Sequence, residues 1–243
     1  MKQTRTYAKG CKNINWTIVP ILMQIVLLFH LYVNDKMKLQ TMKVFRRKKG
    51  ENMKCIVNGR LILKDSVVTD MAILFDEKIK AIVPASEVNT EEYEVIDAKG
   101  NMVAPGLVDI HIHGYLGEDA SDGSVEGLKK MAAGIARNGV TSWCPTTMTI
   151  AKDEILEAFD TARKVKAEKE CYGAKILGIN CEGPFINPSK KGAQPGEFIL
   201  PPDGDFIVDN ADILKLFTVA PEMEGAKECI AKVFGDGRVL ASM

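Results

Sequence analysis

His111 and His113 stand two residues apart in the run VDIHIHG, and Glu182 follows the apolar run KILGINC. In extended strands alternate side chains leave the same face, so the two imidazoles would project together, with Asp109 beside them. Two imidazole nitrogens can meet one cation, and a carboxylate at a strand end can bind the same cation or carry a proton. A His-x-His pair alone is a common pattern. Here it lies between an apolar strand and a glycine turn, which strengthens the ligand reading. Glu182 has a blander alternative as a helix cap or surface charge, but the Gly183-Pro184 that follows it prevents a helix from starting there. Nitrogen and oxygen donors of this kind suit zinc, iron, manganese or cobalt. Cys181 could be called a nucleophile, yet the chain has only 3 histidines to serve as its base, and cysteine is commonly a small buried apolar residue.

Positioning these groups requires strands that end together. Apolar stretches at residues 55–57 and 61–63 flank Asn58-Gly59, a pair suited to a tight hairpin, and further runs at 67–75 and 79–83 complete a small antiparallel β unit. Pro105-Gly106 punctuates the chain, and a domain boundary is expected near residue 103. Beyond it, strands alternate with helices, the pattern of βα units in a parallel sheet or barrel. Ser124 should cap a helix that runs to about residue 138 and stops at Gly139. A strand over 140–147 comes next. Asp153 should cap a second helix that buries Ile155, Phe159, Ala162 and Val165. Strands at 175–180, 217–219 and 238–242 and a helix over 222–234 complete the pattern. From Glu182 to about Asp205 the chain carries 5 prolines and reads as a long functional loop.

Composition narrows the partners. The 32 Lys and Arg residues match 32 Asp and Glu, so no overall field draws the chain to nucleic acid, while small neutral or anionic metabolites remain open. Six cysteines without a Cys-x-x-Cys pair argue for free thiols in a reducing cytoplasm. Residues 14–33 are nearly all apolar and about as long as a membrane span, with basic residues on both sides and the larger group after the span. One reading is a membrane anchor with its C-terminal side in the cytoplasm. The other is that residues 1–52 precede the true start, Met53, where MKCIVNGRLILKD opens the first globular pattern.

Three segments together, VAPGLVDIHIHG, GVTSWCPTT and LGINCEGPFINPSKKGAQP, resemble successive motifs of the N-acetylglucosamine-6-phosphate deacetylase family in the amidohydrolase superfamily. The resemblance runs from about Met53 to the end of the chain. It implies an α/β fold: an incomplete (β/α)8 barrel over residues 104–243 with part of a small β-sandwich over 53–103, preceded by the 1–52 extension. It also implies that His111, His113 and Glu182 hold one or two divalent ions, that Ala193 and Gln194 line the site of an amino-sugar phosphate, and that the complete enzyme can form a homodimer. By the same resemblance, two more histidine ligands and the aspartate that shuttles the proton are expected beyond Met243. This polypeptide alone is therefore expected to be inactive. Two other readings stay open: a hydrolase of other N-acyl or cyclic amides, and a membrane-anchored protein without catalysis.

Overall fold

A computed structural model describes residues 53–170 and 172–243. The anchor candidate at 14–33 and the rest of the 1–52 extension lie outside the described residues. Among those described, no helix is long and apolar enough to cross a membrane.

The chain opens with β1 (Lys54–Val57), β2 (Arg60–Ile62), β3 (Val67–Val68), β4 (Met71–Phe75), β5 (Ile79–Pro84), β6 (Glu94–Asp97) and β7 (Met102–Val103). They form two sheets, one ordered β5-β4-β1-β6 and the other β3-β2-β7. Alternation along β1 and β4 sends Ile56, Ile73 and Phe75 into one buried cluster with Leu61 and Val103, while Cys55, Val57, Ala72 and Leu74 fill a second cluster. The expected hairpin at Asn58-Gly59 does not form. Asn58 has the positive φ of 56° that the pair favours, but β1 pairs with β4 and β6, whereas β2 pairs with β3 and β7. The turn signal is real; the chain uses it to pass from one sheet to the other.

The second part comprises β8 (Leu107–Ile112), β9 (Gly114–Tyr115), β10 (Glu118–Asp119), α1 (Val125–Ala136), β11 (Val140–Thr147), α2 (Lys152–Ala167), β12 (Lys175–Ile176), β13 (Ile179–Phe185), α3 (Gly204–Asp209), β14 (Leu214–Val219), α4 (Ala226–Asp236) and β15 (Leu240–Ser242). β8, β11, β13, β14 and β15 are neighbours in that order and all run parallel, with β12 paired to β11 just before β13 begins. Helices return the chain between successive strands, so this is part of a (β/α)8 barrel preceded by a β-sandwich. Ser124 caps α1, its hydroxyl accepting the Gly127 N–H at 3.0 Å, and Gly139 (φ 85°) follows the helix end as the sequence predicts. Asp153, by contrast, is not a cap: α2 starts at Lys152, and Glu154 reaches back to accept the Ala151 N–H at 3.2 Å. One cluster joins the helices to the sheet, with Met131 and Leu128 from α1, Ile155, Phe159 and Ala162 from α2, and Trp143, Ile179 and Phe217 from the strands. Each is at most 2% exposed.

Arg163 of α2 ties this helix to the turn before β14. Its Nε and Nη2 donate to Asp212 at 2.7 and 2.8 Å, Nη1 donates to Asp160 at 2.7 Å, and Nη2 also reaches Asn210 at 3.0 Å. The guanidinium holds the Asp212 carboxyl below its ordinary value. A carboxylate with a lowered folded pKa stabilises the fold above its unfolded pKa of about 3.9 and loses that contribution as pH falls through the folded value. Asp212→Asn should therefore lower stability at pH 7 by about 1 kcal/mol or less, because the pair is partly exposed. Urea titrations should show the difference from the unsubstituted chain shrinking below about pH 4.

Candidate metal centre

The parallel register brings three strands level at the site. Ile112 of β8 lies opposite Pro145 of β11, and Thr146 and Thr147 of β11 lie opposite Asn180 and Cys181 of β13. His111 therefore lies one residue before the end of β8, His113 directly follows the strand, and Glu182, within β13, reaches toward both. The Nε2 atoms of the histidines are 3.3 Å apart, and Glu182 Oε2 is 3.1 Å from His111 Nε2 and 2.6 Å from His113 Nε2. All three donor atoms lie within 4.8 Å of one another.

The tautomer of His113 follows from its other nitrogen. Nδ1 lies 3.1 Å from the Thr146 carbonyl, which can only accept, so Nδ1 carries the hydrogen and Nε2 can present a lone pair to the cluster. The two rings meet edge to face at 79°, which aims their Nε2 atoms at a common point. The side chains are accessible, His111 at 51% exposure and Glu182 at 27%. Two imidazole nitrogens and a carboxylate oxygen converging in this way fit a divalent ion, and two histidines with one glutamate are a known ligand set for catalytic zinc.

Other expected residues separate from this cluster. The Asp109 carboxylate turns back to accept the His111 N–H at 3.0 Å and is not among the gathered donors. Cys181 is fully buried; its thiol donates to the Gly183 carbonyl at 3.0 Å, and burial pushes its pKa up to about 12. Strand alternation sends it into the core while Glu182 faces the site, so it cannot act as a nucleophile. Gly183 has φ 85°, and a Cβ there would strike the Thr149 hydroxyl; the bond to Pro184 is cis. The glycine thus lets the strand carrying Glu182 lie against the end of β11.

The loop after β13 is more ordered than its prolines suggest. Asn187 accepts the Ser189 N–H at 2.9 Å to cap a turn over Pro188–Lys190, and a second such turn spans Gly196–Phe198. Gln194 is buried, and its side-chain oxygen accepts the Thr149 N–H at 2.8 Å, which clasps the loop to the residues just past β11. Ala193 beside it is exposed. Sequence reasoning gave Thr146 no part, although a threonine directly after Pro145, within a strand that faces the histidines, was the available signal.

The amidohydrolase family matches residues 94–168. An N-acetylglucosamine-6-phosphate deacetylase from Bacillus subtilis (strain 168) is 33% identical over 197 residues, 75% of this chain and 50% of the relative. An N-acetylgalactosamine-6-phosphate deacetylase from Escherichia coli O157:H7 is 32% identical, over 70% of this chain and 45% of the relative. The crystal structure of N-acetylglucosamine-6-phosphate deacetylase from Pasteurella multocida superposes with a TM-score of 0.70 at 28% identity, covering 78% of this chain and 50% of that one. The chain is similar to N-acetylglucosamine-6-phosphate deacetylases, and it spans about half the length of the curated relatives it matches.

The burial of Cys181 has a direct test. A pKa of about 12 against about 8.5 for a free thiol leaves the thiolate fraction roughly a thousandfold lower at pH 8. Mass spectrometry after brief iodoacetamide treatment should find Cys181 unmodified in the native chain and fully modified in urea.

Proposed function

We propose that this protein acts in the hydrolysis of an N-acetylated amino-sugar phosphate, N-acetylglucosamine 6-phosphate, to the free amine and acetate. The observation that carries the reading is the convergence of His111, His113 and Glu182 at the end of β8 and over the end of β11, on the side of a parallel sheet where barrel enzymes place their reacting groups. The similarity to sugar-phosphate deacetylases selects the substrate class.

In this proposal His111 Nε2, His113 Nε2 and Glu182 Oε2 hold a divalent ion. When bound, such an ion lowers the pKa of water and polarises the acetamido carbonyl. The Thr146 carbonyl keeps the His113 hydrogen on Nδ1, so that Nε2 stays free to donate its lone pair. Ala193 and Gln194 line the sugar site, with the Gln194 oxygen committed to Thr149 and its amide nitrogen left to face a hydroxyl or phosphate oxygen. Residues 53–103 form the sandwich domain and 104–243 the barrel part, and the protein works in the cytoplasm. The relative from Escherichia coli O157:H7 that is named for the galactosamine epimer makes that sugar the second substrate to assay.

Among the described residues no carboxylate other than Glu182 joins the cluster, so a separate acid–base group is missing from it. The purified chain is expected to bind Zn2+ or Co2+ at one equivalent, to lose that binding in His113→Ala, and to release no acetate from N-acetylglucosamine 6-phosphate. Calorimetry and an acetate assay read the two parts. Failure to bind metal would sink the ligand assignment. Metal-dependent turnover by the chain would show that the proton-handling group lies within residues 1–243.

A further inference from the structure

β8 carries His111 and leads directly into His113, yet its backbone is not held at the site by an ordinary ladder. Its pairing with β11 shifts register between Trp143 and Pro145, and Pro145, opposite Ile112, has no N–H to give. Side chains take over the bonding. The Ile112 N–H donates to Thr146 Oγ1 at 3.0 Å, and the same hydroxyl donates to the Cys144 carbonyl at 3.2 Å. The Ile110 carbonyl accepts from Asn180 Nδ2 at 3.0 Å. Thr146 and Asn180 are register partners across β11 and β13, and they are 0% and 5% exposed.

The two bonds fall on the residues directly before each histidine: Ile110 before His111, Ile112 before His113. Thr146 adds a third contact, its main-chain carbonyl receiving the His113 ring hydrogen at 3.1 Å. Asn180 stands two residues before Glu182 in β13, so a single strand carries one metal donor and one of the two side chains that fix the other donors. Replacing a polar side chain of this kind with an apolar one of equal size leaves the strand in place but frees a backbone group in a partly buried setting.

We propose that Thr146 and Asn180 are positioning residues: a two-residue polar clamp that sets where the backbone of β8 lies, and with it the aim of the His111 and His113 imidazoles. The clamp acts through backbone and contributes no donor to the cation. The inference rests on the metal reading of the cluster, and its test separates the two.

Co2+ serves as the probe, because its visible absorption reports ligand geometry. The full chain, Thr146→Val, Thr146→Ser and Asn180→Leu are compared by Co2+ titration and by amide hydrogen exchange at Ile112 in the metal-free state. Loss of supporting groups around a metal ligand weakens affinity by about 10- to 100-fold, the effect expected for Thr146→Val with an altered Co2+ spectrum and faster Ile112 exchange. Thr146→Ser keeps the hydroxyl and should stay within about threefold of the unsubstituted chain. Asn180→Leu removes the bond to Ile110 from the other strand and should weaken Co2+ in the same direction, which keeps the test alive if Thr146→Val does not fold. If Thr146→Val and Asn180→Leu fold and bind Co2+ with unchanged affinity and spectrum, the clamp is merely structural and the proposal is overturned. If the unsubstituted chain takes up no Co2+, the metal reading itself fails and the positioning role falls with it.

Discussion

Two imidazoles and a carboxylate can share one point here only because three parallel strands are in register at the same level. Neighbouring strands are about 4.8 Å apart, so β8 and β13, with β11 between them, lie roughly 10 Å apart. His113 and Glu182 must lean toward each other over the end of β11 to bring Nε2 and Oε2 to 2.6 Å. That geometry requires compact residues beneath them, and β11 supplies Pro145, Thr146 and Thr147 at the level of the site. The helices are the outer condition: α1 and α2 bury Met131, Ile155 and Phe159 in one cluster with residues of β11, β13 and β14. A parallel sheet converts this shared height into a donor cluster.

The parts legible in sequence were those set by periodicity. β11 keeps the predicted strand bounds, 140–147, and all but Val140 of its residues are buried. Ile155, Phe159, Ala162 and Val165 recur at helical spacing and are buried in α2. His111 and His113 share a face for the simplest reason, a period of two. What could not be read depended on partners distant in the chain. Asn58-Gly59 carries a local turn preference but no information about which strand β1 will pair with. The third barrel strand breaks after Ile176 and resumes at Ile179. Gly178 lies in that break, packed so closely on the Ile213 carbonyl that a Cβ would collide with it. Asp109 satisfies the alternation rule and still misses the cluster, since its carboxylate bonds the backbone two residues ahead. Gln194 and Thr146 work through bonds made to other elements, which one sequence does not display.

The strand order also explains an apparent excess of exposed apolar surface. β8 has a neighbour only on the β11 side and β15 only on the β14 side among the described residues. Leu107, Ile110 and Leu240 of these two outer strands are 61%, 52% and 68% exposed, although each belongs to an apolar run that sequence alone would bury. Strands of parallel barrels are apolar on both faces, so the outermost ones show that composition wherever nothing lies against them.

The crossing at Asn58-Gly59 makes the sandwich non-local. The chain repeats the passage between sheets at residues 98–101, and the two passages are bonded to each other. Ala98 N–H reaches the Val57 carbonyl, Gly100 N–H the Asn58 carbonyl, and Arg60 N–H the Asn101 carbonyl. β1–β2 and β6–β7 are thus one parallel two-stranded ribbon bent across both sheets, with partners such as Lys54 and Glu94 separated by 40 positions. Parallel pairing at that separation must close a long loop before it gains any bonds, which slows folding. During synthesis β1 can find β4 early, but β2 gains its parallel partner only after Val103 has emerged. Of the described sandwich strands, β7 is the last to emerge, and its arrival completes the pairing of β2.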